Sequence, residues 1–390
     1  MYVSCPICEE TQGIAMNAST EVPVMMNRVY TSSESARAAR RGLLELLGCR
    51  ACGFVWNRAF QADLLAYDSY YENDQTHSQA FVEHLRARAR DVVAALPAGE
   101  KLYYLEIGCG QGRFMVEVAN VAGRRLASAE GFDPAWRGQD AAGPAGSRIH
   151  KAYFDAGTAK FLACQPNIVA SRHTIEHVPD PVPFLTAVRK ALGPAARARI
   201  FVETPCVSWI LKHQAMQDFF YEHCSLFTAR ALVLALHKAG FCSPRVRHVF
   251  GGQYLWADAA TDGEDEAFET EPACDVAAFA QASTRFATHW RAQVRAAAAQ
   301  GPVALWGAGA KGVTFALIAD PKNRFIDCVV DINPSKQNHH LAGSGLKVVA
   351  PKDAARFGAR TIFVMNPNYL EEIAGTVADI GMNARLIPIN

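Results

Sequence analysis

The rhythm of apolar and polar positions changes along the chain. Leu102-Tyr103-Tyr104-Leu105-Glu106-Ile107 is a short apolar run that stops at a glycine turn, and Phe114 to Val121 follows with helical spacing. A brief apolar run bounded by turn residues is a buried strand, so this stretch predicts strand, turn and helix. Ser128–Phe132, Ile168–Ser171 and Ile200–Glu203 predict further strands, alternating with helices such as Pro183–Leu192. Such alternation implies βαβ units and a parallel sheet. Upstream, Phe81, Leu85 and Val92 mark one face of a helix, which Pro97-Ala98-Gly99 ends. Downstream, an Ala-rich helix over about Val276–Gln300 leads to a second strand–turn–helix unit at Val303–Leu317, with strands at Asp327–Val330 and Thr361–Met365.

These patterns divide the chain into residues 1–60, a connecting segment 61–96, a first α/β domain 97–260 and a second 261–390. The connecting segment holds the polar, Tyr-rich stretch from Tyr67 to Gln75, and the acidic stretch Thr261–Glu271 reads as a solvated linker. The expected fold class is α/β, with two separate Rossmann-like sheets behind a small N-terminal module. A length of 390 residues suits two or three domains. The net charge of +1, from 39 basic and 38 acidic residues, implies no large field and so no nucleic-acid partner. The first residues show no charged segment followed by an apolar one, and no apolar run reaches the roughly 18 residues of a membrane span. A soluble monomer in the reducing cytoplasm is the expectation.

The loop Glu106-Ile107-Gly108-Cys109-Gly110-Gln111-Gly112 carries the first chemistry. Glycines let a backbone approach a cofactor closely, because no Cβ intervenes. They fall at the carboxyl end of a strand, where open α/β sheets bind ligands. The spacing is not the dinucleotide G-x-G-x-x-G, since position 113 is Arg. The loop looks like motif I of the class I methyltransferases, which implies S-adenosylmethionine as cofactor. Glu106 would then organise its amino-acid end. Asp133, 21 residues beyond Gly112, would accept from the ribose hydroxyls, with Pro134 beside it. Tyr153, Phe154 and Asp155 lie between the strands Ser128–Phe132 and Ile168–Ser171 and are candidates for the adenine. Ser171 and His173 sit at the end of the strand Ile168–Ser171.

Eleven cysteines include two C-x-x-C pairs, Cys5/Cys8 and Cys49/Cys52. Each pair sets two thiolates on one side of a tight turn. Two such knuckles make a closed tetrahedral Cys₄ site, which predicts structural zinc.

Two clusters offer acid–base groups. His173 and His177 lie in Ser171–Asp180, at the sheet edge that would face the methyl donor. Histidine serves near neutral pH as acid, base or hydrogen-bond donor. Tyr221-Glu222-His223 places a phenol, a carboxylate and an imidazole in succession.

Taken together these residues resemble the three-part sugar C-methyltransferases, which methylate nucleotide-linked deoxysugars. The resemblance spans nearly the whole chain. It rests on the four paired cysteines, on Tyr70–Ser78, on Tyr221-Glu222-His223, on His177 before Pro179-Asp180, on Gly307-Ala308-Gly309-Ala310-Lys311-Gly312, and on Asp331, Asn333, Pro334, Lys336 and Gln337. It implies that Tyr71, Gln75 and Ser78 close the cofactor site. It also implies a mechanism, in which His223 abstracts the proton beside a ketosugar carbonyl with Glu222 and Tyr221 in support. His177 would stabilise the oxyanion, and the enolate carbon would take the methyl group. One stretch departs: where the family has H-G-G-S-L-R, this chain reads Phe250-Gly251-Gly252-Gln253-Tyr254-Leu255. The basic residue is gone, so a different acceptor, methylated on oxygen or nitrogen, is an alternative.

Gly307-x-Gly309-x-x-Gly312 does satisfy the dinucleotide fingerprint, with Asp331 19 residues on. Alone it would suggest an NAD-dependent oxidoreductase. A zinc-ribbon RNA methyltransferase and a non-enzymatic scaffold are further rivals, which near-zero charge and the cofactor loop respectively oppose.

Overall fold

A computed structural model describes all residues except 1–3, 12, 18, 67–69, 195, 264–275, 277–281 and 390. Positions 67–69 of the Tyr-rich stretch, 264–271 of the acidic stretch and 277–281 of the long helix therefore lie outside the described residues. The rest of that helix is present as Ala282–Ala298.

The centre is a seven-stranded sheet. Its spatial order is Cys242–Val249, Tyr254–Ala260, Arg199–Pro205, Ile168–Arg172, Leu102–Ile107, Leu126–Phe132, Arg148–His150. All neighbours are parallel except those of Tyr254–Ala260, which runs antiparallel to both its partners. The four strands read from the apolar runs of this domain are present within a residue or two. Arg148–His150 and the terminal antiparallel pair were not foreseen. Cys242–Val249 mixes exposed and buried positions at the sheet edge, so its apolar pattern is weak.

Side chains alternate across the sheet. Leu105, Ile107 and Val202 pack on one face; Leu102, Tyr104 and Phe201 pack on the other against the helices Gln79–Ala94 and Arg113–Ala122. Each fully buried side chain of this size contributes roughly 1.5–3 kcal/mol by leaving water. The first face also takes Cys5, Cys49, Cys52 and Phe54, so the N-terminal module shares the core of the main sheet.

That module has a four-stranded sheet in the order Gly13–Ala15, Leu46–Cys49, Val55–Asn57, Ser225–Leu226. The last strand comes from the stretch just after His223, with Ser225 paired to Trp56. The C-terminal sheet has five parallel strands in the order Val348–Val349, Cys328–Val330, Val303–Trp306, Thr361–Val364, Arg385–Pro388. Among the described residues no helix is long and apolar enough to cross a membrane.

Candidate active site

Strand order reverses beside Leu102–Ile107 in the main sheet and beside Val303–Trp306 in the C-terminal one. Such switch points open a crevice at the carboxyl ends of the strands. A cavity of about 270 Å³ is lined from both. Its first wall holds His173, Glu176, His177, Pro205, His223 and Tyr254. Its second holds Trp306, Gly307, Gly309–Gly312, Asp331, Asn333, Met365 and Asn366. Tyr71, Gln75 and Ser78 of the connecting segment close a third side.

The glycine loop adjoins the first wall. Gly108, Gly110 and Gly112 all have left-handed φ, of 73°, 54° and 72°. A Cβ on Gly108 would meet Thr174 Oγ1 at 2.0 Å, whereas one on Gly110 would meet nothing within 4 Å. The loop is thus pressed against the turn after Ile168–Arg172 and open at Gly110. Asp133 Oδ2 accepts the Gly110 N–H at 2.7 Å and Oδ1 accepts the Ala135 N–H at 2.7 Å. The acid expected at the ribose is therefore fixed to the open glycine. Glu106 is buried and accepts the Tyr104 hydroxyl at 3.0 Å. Burial pushes it up to about 8, against the pull of Arg172. Open backbone and two carboxyl groups at the ends of adjacent strands fit S-adenosylmethionine.

Other expected cofactor residues are placed unevenly. Ser171 is buried at the strand end and its hydroxyl has no partner among the described residues. Pro134 follows Asp133 as expected. Phe154 packs against Phe132 at 5.1 Å, inside the core. The Asp155 carboxylate accepts the N–H groups of Gly157 and Thr158, both at 2.8 Å, and so caps a turn. Gln75 Oε1 accepts the Tyr369 hydroxyl at 3.0 Å, and the Ser78 hydroxyl donates to Glu372 at 2.6 Å. Both thus tie the connecting segment to the C-terminal domain. Arg113 pairs with Asp74 at 3.0 Å and Arg137 donates to the Tyr71 carbonyl, which clamps the same segment to the main sheet.

The histidines converge. His173 has a left-handed φ of 49°, which a residue other than glycine adopts only when its surroundings impose it. The His177 and His223 rings meet edge to face at 4.9 Å, and Phe220 lies 4.6 Å from His223. Burial, then the neighbouring His177, push His223 down to about 3. Burial likewise lowers His177, with Glu176 acting against it.

Tyr221 and Glu222 are elsewhere. The Tyr221 hydroxyl accepts the Gln61 N–H at 2.9 Å. The Glu222 carboxylate accepts the Met26 N–H at 2.8 Å and is held by the Tyr71 hydroxyl. Neither lines the cavity, and the aromatic residue of this stretch that does is Phe220. Residue order alone gave no sign of this, because a bend through 219–224 decides which neighbours face inward. The sequence reading also passed over Glu176 and the Lys311–Asp218 ion pair of 2.7 Å across the cleft.

The C-terminal turn is already engaged. Asp331 accepts the N–H groups of Ala308 at 2.8 Å and Asn333 at 2.9 Å, and Lys336 stands 4.0 Å away. Asn27 accepts the Ala310 N–H at 3.2 Å. Asp331 is thus held as Asp133 is, by two backbone N–H groups, one of them from its own glycine turn.

The four cysteines lie together. Cys5 and Cys52 sulfurs are 3.7 Å apart, and Cys8 and Cys49 sulfurs 3.4 Å. These separations match the edges of a tetrahedron around one ion with metal–sulfur distances of about 2.3 Å.

The strand order, the antiparallel Tyr254–Ala260 and the glycine loop define a class I methyltransferase fold. Residues 81–242 match the family described as methyltransferase domain, and residues 259–387 match the one described as C-methyltransferase C-terminal domain. C-methyltransferase NovU of Streptomyces niveus is 25% identical over 350 residues, which covers 85% of this chain and 81% of that protein. Among solved structures, a SAM-dependent methyltransferase from Aquifex aeolicus aligns with a TM-score of 0.34 at 15% identity, over 49% of this chain and 100% of that one. Human N-acetylserotonin methyltransferase aligns with a TM-score of 0.35 at 13% identity, over 48% and 55%. The chain is a divergent member of the SAM-dependent C-methyltransferase family.

Proposed function

We propose that this enzyme methylates a carbon beside the carbonyl of a nucleotide-linked ketosugar, with His223 as the base that forms the enolate. The observation that carries the reading is the convergence of His173, His177 and His223 on one cavity wall, next to the glycine loop. At neutral pH the His223 imidazole is uncharged, so it can accept a proton. His177 has one ring nitrogen engaged with the Glu222 backbone, which orients the ring toward the oxygen where charge develops. Bound S-adenosylmethionine supplies an electrophilic methyl group. Gly110, Asp133 and Glu106 are the residues we assign to holding it.

The opposite wall suits a phosphate handle. The helix Ala310–Ala319 opens there, and helix amino ends favour anions. Lys311 stands on its first turn, and an entering phosphate would compete with Asp218 for it. Asn27, Asn73, Gln75 and Asn366 supply hydrogen-bonding groups for a polyhydroxylated ring, as a deoxysugar requires. The Cys₄ cluster is assigned to structural zinc, which suits a reducing cytoplasm. One chain supplies every wall, so a monomer suffices.

The test uses purified protein, S-adenosylmethionine and a panel of nucleoside-diphosphate 4-ketosugars in deuterated water. The expected result is exchange of the proton beside the carbonyl and a new C–CH₃ signal, both lost in His223→Ala. Near-normal turnover in that variant rejects the base. A methyl group on oxygen would turn the reading to O-methylation.

A further inference from the structure

The Glu222 carboxylate serves Met26 and Tyr71, so it is not the one that faces the histidines. That carboxylate belongs to Glu176. It comes from the turn Ile175–His177, directly after the strand Ile168–Arg172, and is completely buried. Its Oε2 accepts the Thr204 hydroxyl at 3.1 Å and its Oε1 stands 3.3 Å from His173 Nδ1. Its oxygen and the ring nitrogens of His177 and His223 lie within 4.8 Å of one another.

The other carboxylates of the cavity have different partners. Asp74 pairs with Arg113, Asp218 with Lys311 and Asp331 with Lys336, while Glu372 accepts from Ser78. Only Glu176 among them is surrounded by imidazoles.

We propose that Glu176 is the positioning residue of the histidine cluster, supplying the fixed negative charge that stabilises the imidazolium formed when His223 takes a proton from the acceptor. This rests on the His223 reading above. A proton arriving on a buried imidazole creates a charge that burial disfavours. A carboxylate a few ångströms away offsets that penalty, as the acid does in a Ser-His-Asp triad. The carboxylate must itself be ionised. Burial raises Glu176, but the His173 bond and the charges of His173, His223 and His177 outweigh this and leave it at about 2. Among the other charges facing the histidines, Glu203, paired with Arg172, stands 3.8 Å from His173 Nε2. Asp133 supports a charged His177, whereas Lys311 opposes one on His223.

The test needs no acceptor. Full-length, zinc-loaded protein with labelled histidine and glutamate is titrated by NMR, as wild type, Glu176→Gln and Glu176→Asp. The ring titration of His177 should move to lower pH by about one unit or more in Glu176→Gln and stay near wild type in Glu176→Asp, with S-adenosylmethionine binding unchanged in both. A folded Glu176→Gln with an unmoved His177 overturns the proposal. In the wild type, the Glu176 carboxyl carbon should keep its ionised shift down to about pH 4, and a protonated carboxyl at pH 7 overturns the proposal without any variant. So does a second metal ion, beyond the one at the cysteines, that vanishes in Glu176→Gln. Loss of the base reading has another signature: His223→Ala keeps turnover while Glu176→Gln still moves His177.

Discussion

The Tyr221 hydroxyl accepts the backbone N–H of Gln61 at 2.9 Å, joining the stretch that precedes His223 to the exit of the N-terminal module. The phenol that sits next to the histidine in sequence is thereby committed to structure. Phe220 takes the place beside the ring.

Tyr221→Phe should therefore cost stability rather than catalysis. Losing one acceptor for a backbone N–H is worth about 1–2 kcal/mol. Thermal unfolding should report that loss, with turnover within about threefold of wild type, whereas removing a general base costs on the order of 10²–10⁴-fold. A Tyr221→Phe variant as slow as His223→Ala would restore the phenol to the chemistry.

Asp133→Ala should weaken S-adenosylmethionine binding by about 10–100-fold, the scale of one or two hydrogen bonds to a carboxylate. It also frees the Gly110 amide that the carboxylate fixes at 2.7 Å. Calorimetric titration checks this, and unchanged affinity would remove Asp133 from the cofactor site.

Elemental analysis of reduced protein should give one zinc per chain. Stripping it, or Cys49→Ser, should loosen more than the module. Thr228 donates to the Cys52 carbonyl at 2.7 Å and Asn57 N–H donates to the Cys224 carbonyl at 3.0 Å, so the cysteine cluster backs the His223 stretch. Amide exchange at 220–228 should rise on chelation. A metal-free protein with native protection there would rule the coupling out.

His223 gives a pH dependence of stability. Its folded value of about 3 lies below the ordinary one of 6.5, so the unfolded state binds the proton more readily. Its contribution is fully present above pH 6.5 and is lost as pH falls toward 3. Glu176, also depressed, adds the same sign below about 4.5. Urea unfolding should show stability falling from pH 6.5 downward, with a shallower slope in His223→Gln. Equal slopes in the two proteins would contradict the burial argument.

The sequence by itself determined the strand–glycine–helix units, the parallel strands at the centre of both sheets and the cysteine cluster. These rest on local rules: an apolar run makes a buried strand, a left-handed turn selects glycine, and thiolates at C-x-x-C spacing share one side of a turn. Gly108, Gly110, Gly112, Asp133 and the four cysteines were legible for that reason. Which neighbours of His223 face the cavity was decided only by tertiary structure. Adjacent side chains diverge, and the bend through 219–224 sends Phe220 and His223 inward while Tyr221 and Glu222 hold Gln61 and Met26. Glu176, next to His177 in the chain, gained its place from Thr204 on the neighbouring strand and from the convergence of three loops. The meeting of two switch points over one cavity likewise depends on how the sheets dock, through contacts such as Lys311–Asp218 and Gln253–Asn366 that lie 93 and 113 residues apart. No local pattern encodes such a pairing, because its energy exists only once both partners are buried together.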